Sequence, residues 1–143
     1  MLFRSVIAAN KIKVPTYVVP LGIDPNIFKF ASQTPTSGKT IFFNCGKWEV
    51  RKGHDILITA FQRAFRDRDL VELWMMCTNQ FNTPQENSYW TAKYDDPRVR
   101  LLPRVKTQQD VYNTMLRTDC GVFPSRAEGW NLELLEKIGR AHV

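Results

Sequence analysis

Two stretches of the chain set charged side chains beside glycines where a strand would hand over to a helix: GKWEVRKG, residues 46–53, and PSRAEGWNLELLE, residues 124–136. In the first, Lys47 follows Gly46 at once, and Arg51, Lys52 and Gly53 stand at the mouth of the next predicted helix. A helix N-terminus offers unpaired backbone N–H groups and the positive end of a dipole, which suits an anion. Three cations around it would suit a diphosphate; the same composition also describes a solvated charge run. In the second stretch, Glu128 falls in a loop and Glu136 about two turns down a helix read from Glu128 to Glu136. At about 1.5 Å per residue the two lie up to about 12 Å apart, too far for carboxylates that share one reacting bond. They could grip two ends of one long ligand, since carboxylates accept from sugar and ribose hydroxyls. The backbone N–H groups of Gly129, Trp130, Asn131 and Leu132 sit where that helix begins. Taken singly, Glu136 fits an exposed helix residue, Glu128 an ordinary loop acid, and Glu133 between them a solvated one. Trp130 and Trp48 could stack on a sugar or base, although an aromatic beside an apolar helix more often belongs to a core.

Other chemistries are poorly served. SGKT, residues 37–40, lacks the earlier Gly of a phosphate-binding Walker loop, where Gln33 stands instead, and runs into TIFFNC rather than a helix. Cys45, Cys77 and Cys120 are odd in number and widely spaced, so neither a disulfide framework nor a CxxC site is indicated. They read as free thiols in a reducing compartment, and a cytoplasmic location is expected. His54 is the one histidine away from the chain end, so no metal site is expected. No apolar run is long enough to span a bilayer. The formal net charge is +6, of which Arg4 and Arg140 in the terminal segments supply two. A balance of that size suits a phosphate pocket as well as a general polyanion surface, and gives little support to nucleic-acid binding.

The elements that must position these groups alternate. TYVV (16–19) is a short β-rich run ended by the turn residues Pro20, Gly22 and Pro25. KFASQTPTSGKT reads as surface loop, TIFFNC as a buried strand, and HDILITAFQRAFRDR as a helix of about four turns with Ile56, Leu57, Ala60, Phe61 and Ala64 on one face. LVELWMMC is a second buried strand, followed by a long excursion with a short helix over 85–94. RVRLLP is a third strand and TQQDVYNTMLRT a helix capped by Thr107 with Val111, Met115 and Leu116 on one face. DCGVFP is a fourth strand. This order predicts an α/β fold, a Rossmann-like doubly wound parallel sheet with ligands at the carboxyl ends of the strands. The loops after the strands then carry the site, including the one around Arg104 and Val105.

The terminal segments MLFRS (1–5) and IGRAHV (138–143) each correspond to a reading frame of a common short-read sequencing adapter, and we expect both to lie outside the natural chain.

VVPLGID, GKWEVRKGHDILITAF and PSRAEGWNLELLE together resemble, in order and spacing, the donor-binding C-terminal domain of family 4 glycosyltransferases with the GT-B fold. The likeness runs from Tyr17 to Glu136. It implies an interdomain linker over 6–24 and a truncated donor-binding domain over 25–137, the half that binds acceptor being missing. Gly46 and Lys47 match the family's Gly-Arg pair, Lys52 and Gly53 its Lys-Gly pair, and Glu128 and Glu136 its two glutamates separated by seven residues. By that resemblance Lys47 and Lys52 would hold the diphosphate of a nucleotide-sugar donor. Glu128 would approach the transferred hexose, Glu136 the ribose, and the main chain at Arg104 and Val105 the base. Transfer would proceed with retention in the intact parent, without metal or cofactor, and the fragment alone would be inactive; peripheral membrane association of the parent is left open. Two departures stand out: Lys47 gives a point charge where a planar Arg fork is usual, and Asn131 replaces a Gly, either contacting the donor or capping the last helix. A sugar-nucleotide epimerase of GT-B architecture and a non-catalytic nucleotide-sugar or polyanion module are the alternative readings.

Overall fold

The strands TIFFNCG and VELWMMC form the centre of the sheet because both are near-continuous apolar runs that must be covered on two faces. In the computed structural model, which describes residues 7, 9–11, 13–15, 17, 19–29 and 38–138, they are β1 (Thr40–Gly46) and β2 (Val71–Cys77). They pair in parallel from Thr40↔Val71 to Gly46↔Cys77. The remaining elements are α1 (His54–Ala64), α2 (Pro84–Lys93), β3 (Val99–Leu101), α3 (Gln108–Met115), β4 (Cys120–Gly121) and α4 (Leu132–Ile138). β3 pairs with β2 and β4 with β1, all parallel, in the order β3-β2-β1-β4. The doubly wound α/β expectation therefore holds.

Alternation along the strands sorts the core into two layers. Leu73, Met75 and Cys77 face Trp48, Leu57, Ile58, Phe61, Trp90 and Tyr94. Ile41, Phe43, Cys45, Trp74 and Met76 face Phe28, Tyr112 and Met115. Phe43, Leu73, Met75 and Met115 have no exposed surface at all.

Several boundaries differ from expectation. α1 is shorter than four turns, at 11 residues, because Phe65 leaves it in extended conformation and lays its ring against Phe61 and Phe42. Its buried stripe is His54, Leu57, Ile58 and Phe61, while Ile56 is exposed. That stripe starts on a histidine, ahead of where an apolar pattern reveals it. β3 and β4 keep only three and two paired residues, since each has a neighbour on one side only. α2 begins with Pro84 behind a capping box in which Thr83 and Glu86 exchange hydrogen bonds, and α3 begins behind Thr107, which accepts from Asp110 N–H. The last helix starts at Leu132 rather than Glu128, so Glu128 to Asn131 is loop.

Of TYVV, Tyr17 and Val19 are highly exposed and outside any strand. Thr16 and Val18, the loop over 30–37 and the terminal segments 1–5 and 139–143 lie outside the described residues. Gly38 and Lys39 lead into β1, not into a helix, so the Walker reading of SGKT stays excluded.

Candidate functional site

β1 and β4 are adjacent in the sheet although β2 and β3 intervene in sequence, so the loops that leave their carboxyl ends diverge at a topological switch point. The first of these loops turns off at Gly46, whose φ of 138° only glycine adopts with ease. A side chain there would also stand 3.4 Å from Glu133 Oε1 and 3.7 Å from Lys52 Cε. A 3-10 turn over Val50–Lys52 follows and closes on Gly53 at φ 77°. A Cβ at Gly53 would sit 2.1 Å from the carbonyl oxygen of Pro124, so the absent side chain is what lets the two loops touch.

The contact is then laced by polar groups. Arg126 N–H donates to Arg51 O at 2.9 Å. The Arg126 guanidinium forks onto Asp55 at 2.6 and 2.9 Å and also donates to Val50 O. In the other direction Arg51 donates to Ala127 O at 2.7 Å and to Glu128 Oε2 at 2.8 Å, while its second nitrogen meets Glu49 at 2.8 Å.

Lys52 lies beneath this lacing, only 9 % exposed, with Nζ at 2.8 Å from Glu128 Oε1 and 3.2 Å from Glu133 Oε1. Ser125 Oγ donates to Glu128 Oε1 at 2.7 Å. Burial pulls the Lys52 ammonium down, but the hydrogen bonds and charges of Glu128 and Glu133 outweigh it and hold the group above its ordinary value. Burial likewise pushes Glu128 up, and Lys52, Ser125 and Arg51 together bring it below the usual carboxylate range. The result is a charged pair fixed in a part-buried, low-dielectric place, where its field is strong.

Beside this pair opens a cleft of about 370 Å³ whose lining includes Gly46, Lys47, Arg104, Val105, Lys106 and Glu133. Lys47 reaches it from β1 with its Nζ 4.9 Å from the ring centroid of the exposed Phe81. The loop after β3 contributes Arg104 and Val105, so the loops after β1 and β3 share one cleft with α4. Glu136 is half-buried on α4, and burial followed by the charge of Glu133 raises its carboxyl. It also helps, after burial and Glu133, to push up the Cys45 thiol at the end of β1; Glu136 is not among the residues that line the cleft.

The other residues singled out in the sequence separate. Asn131 Oδ1 accepts from Leu134 N–H at 3.1 Å and so caps α4. Gly129 and Trp130 are exposed, Trp130 by 43 %, so of the two readings of Trp130 the core one does not hold, and Leu132 opens α4 half-buried. Trp48 does belong to the core, stacked on Trp90 at 5.8 Å. Glu133, assigned to solvent from sequence, instead reaches Lys52 and the cleft. The available signal was its spacing of three residues from Glu136, which sets both on one helix face.

His54 is fully buried and structural. Its Nδ1 accepts from Glu49 N–H at 3.3 Å, so Nε2 carries the proton toward Asn44 Oδ1 at 2.9 Å. Asn44 in turn donates to Val122 O at 2.6 Å, tying β1 to the chain beyond β4. Burial and then the charge of Lys52 lower His54 to about 4, so it stays neutral. Among the described residues no three His, Cys, Asp or Glu side chains gather as a metal site. The three cysteines are free thiols, Cys45 and Cys77 buried and Cys120 exposed. No helix among the described residues is long and apolar enough to cross a membrane.

A parallel sheet whose cation-bearing and carboxylate-bearing loops meet at the switch point defines a Rossmann-like α/β domain. The family model for glycosyl transferases group 1 matches residues 38–140, and the chain belongs to that family. The sheet is accordingly part of a GT-B domain, and the function is of glycosyltransferase type. Comparison with curated proteins found no match.

Proposed function

We propose that this domain binds the nucleotide-diphosphate-sugar donor of a hexosyltransferase, and that the intact parent transfers the sugar to an acceptor with retention. Lys47 and Lys52 take the diphosphate, Glu128 faces the transferred sugar, Glu136 accepts from the ribose, and the main chain at Arg104 and Val105 borders the base. The backbone N–H groups of Gly129 to Leu132 add donors at the start of α4. The observation that carries the reading is the direct contact of Lys52 with Glu128 across the β1 and β4 loops, next to a cleft lined by Lys47, Arg104, Lys106 and Glu133. Charge develops on the leaving diphosphate as the glycosidic bond breaks, and fixed cations in a part-buried site stabilise it without reorganising. The reading requires neither metal nor further cofactor.

The test is a Lys52→Ala, Glu128→Ala double variant of the parent protein, compared with wild type for donor binding by titration calorimetry and for sugar transfer. Loss of both is expected. Retention of both refutes the assignment, and an affinity that falls steeply with salt without preference among nucleotides favours a polyanion-binding module instead.

A further inference from the structure

Lys52 is shared by two carboxylates that are held very differently. Glu128 is anchored by Lys52, Arg51 and Ser125, at 2.8, 2.8 and 2.7 Å. Glu133 meets Lys52 at the longer distance of 3.2 Å, and Lys52 is its one hydrogen-bond partner among the described residues. Glu133 is also the one acid lining the cleft, where Lys47, Arg104 and Lys106 are the cations. Its Oε1 lies beside Gly46, 3.4 Å from where a Cβ would stand, and Lys52 Cε is 3.7 Å from the same point, so carboxylate and ammonium meet at the Gly46 edge of the cleft. Glu133 lines the cleft and Lys52 does not, so an anion that approaches Lys52 from the cleft meets Glu133 first. On release Glu133 forfeits its contact with Lys52 but stays in the first turn of α4, where the helix dipole favours a negative charge.

We infer that Glu133 is a built-in competitor which the donor diphosphate displaces from Lys52, and that it thereby sets the donor affinity. The inference rests on the donor-site reading above and adds a residue to it. Glu128 keeps its three anchors throughout, so Lys52 stays oriented while one of its two partners is exchanged for phosphate oxygen. A sugar-recognising role for Glu133 predicts the opposite sign, because removing its charge would then weaken donor binding.

Glu133→Gln keeps the shape and removes the charge. We expect it to tighten the binding of inorganic pyrophosphate by about three- to tenfold in calorimetric titration at fixed salt, the range for one part-exposed charged contact. Glu49→Gln serves as the control, since Glu49 is an equally part-exposed acid that pairs with Arg51 rather than Lys52 and does not line the cleft; a change of less than about twofold is expected there. Far-UV circular dichroism checks folding, and Glu133→Ala must move affinity in the same direction. Unchanged or weaker pyrophosphate binding in the Glu133 variants overturns the inference, as does equal tightening by Glu49→Gln. UDP and GDP, titrated in parallel, separate the two readings. If pyrophosphate tightens but neither nucleotide binds better than pyrophosphate, the competitor stands and the nucleotide-donor reading falls. If nothing binds to any variant, both fall.

Discussion

Replacing Gly53 by Ala should cost far more than an alanine in an exposed turn. Two effects add at this position. Its φ of 77° is left-handed, which costs an L side chain about 1–2 kcal/mol. The new methyl would also stand 2.1 Å from the Pro124 carbonyl oxygen and 3.0 Å from its ring, a backbone obstacle that cannot rotate away. Overpacking of this kind costs about 1–3 kcal/mol more. Gly38 supplies the internal control: its φ is 65°, but a Cβ there would meet nothing within 4 Å. Gly38→Ala should therefore lose about 1–2 kcal/mol, and Gly53→Ala about 2–5 kcal/mol, in urea unfolding read by linear extrapolation. The damage should reach the site as well. If Pro124 retreats, Ser125 and Glu128 move with it, away from Lys52, and nucleotide binding should weaken in Gly53→Ala while staying near wild type in Gly38→Ala. Equal stability losses in the two variants would show that the loops do not touch through Gly53, and the account of how the site is assembled would fail.

Further outcomes follow from the same contacts. His54 is lowered from 6.5 to about 4, so the unfolded chain binds more protons than the folded one within that window, and stability should fall by about 3 kcal/mol as pH drops from 6.5 to 4. A His54→Gln variant should be flatter over the same range in pH-dependent thermal unfolding. Glu128 is lowered instead, so its contribution is full above the ordinary glutamate range and disappears as pH falls through its folded value; Glu128→Gln should remove that acid-side loss. Asn131→Ala should cost about 1 kcal/mol through the lost cap of α4, whereas Asn131→Gly should cost a few tenths, both by chemical denaturation. A large loss of nucleotide affinity in Asn131→Gly would instead point to direct contact with the donor.

The sheet was legible because its two central strands announce themselves. TIFFNC and VELWMMC have no polar face, and only a strand covered on both sides tolerates that. The edges were less readable: RVRLLP and DCGVFP have the composition of strands, yet the number of residues that pair depends on neighbours that composition does not describe. α1 was found but its phase was not, since the stripe begins on His54, whose burial is made possible by Asn44 and the Glu49 amide from elsewhere in the chain. Trp48 and Trp130 illustrate the same limit. Both follow strand-ending loops, but Trp48 turns inward onto Trp90 and Trp130 outward, a choice made by α2 in the first case. That Lys52 and Glu128 belong to one site was implied by the resemblance, but their direct contact was not, because it depends on how closely the two loops approach. Glu133 was missed because a helical glutamate is solvated by default, and the contact that makes it otherwise comes from Lys52, 81 residues earlier in the chain.

The reciprocal ties between Arg51 and the 126–128 segment, and between Arg126 and Asp55, carry a mechanical consequence. Each crossover braces the other from both ends, so thermal jostling of one drags its neighbour along as a single stiff frame. Spacing between opposite charges is then insulated from strain arriving elsewhere on the sheet. An amide such as that of Arg126, locked onto Arg51 O, should exchange with solvent only when the whole frame opens.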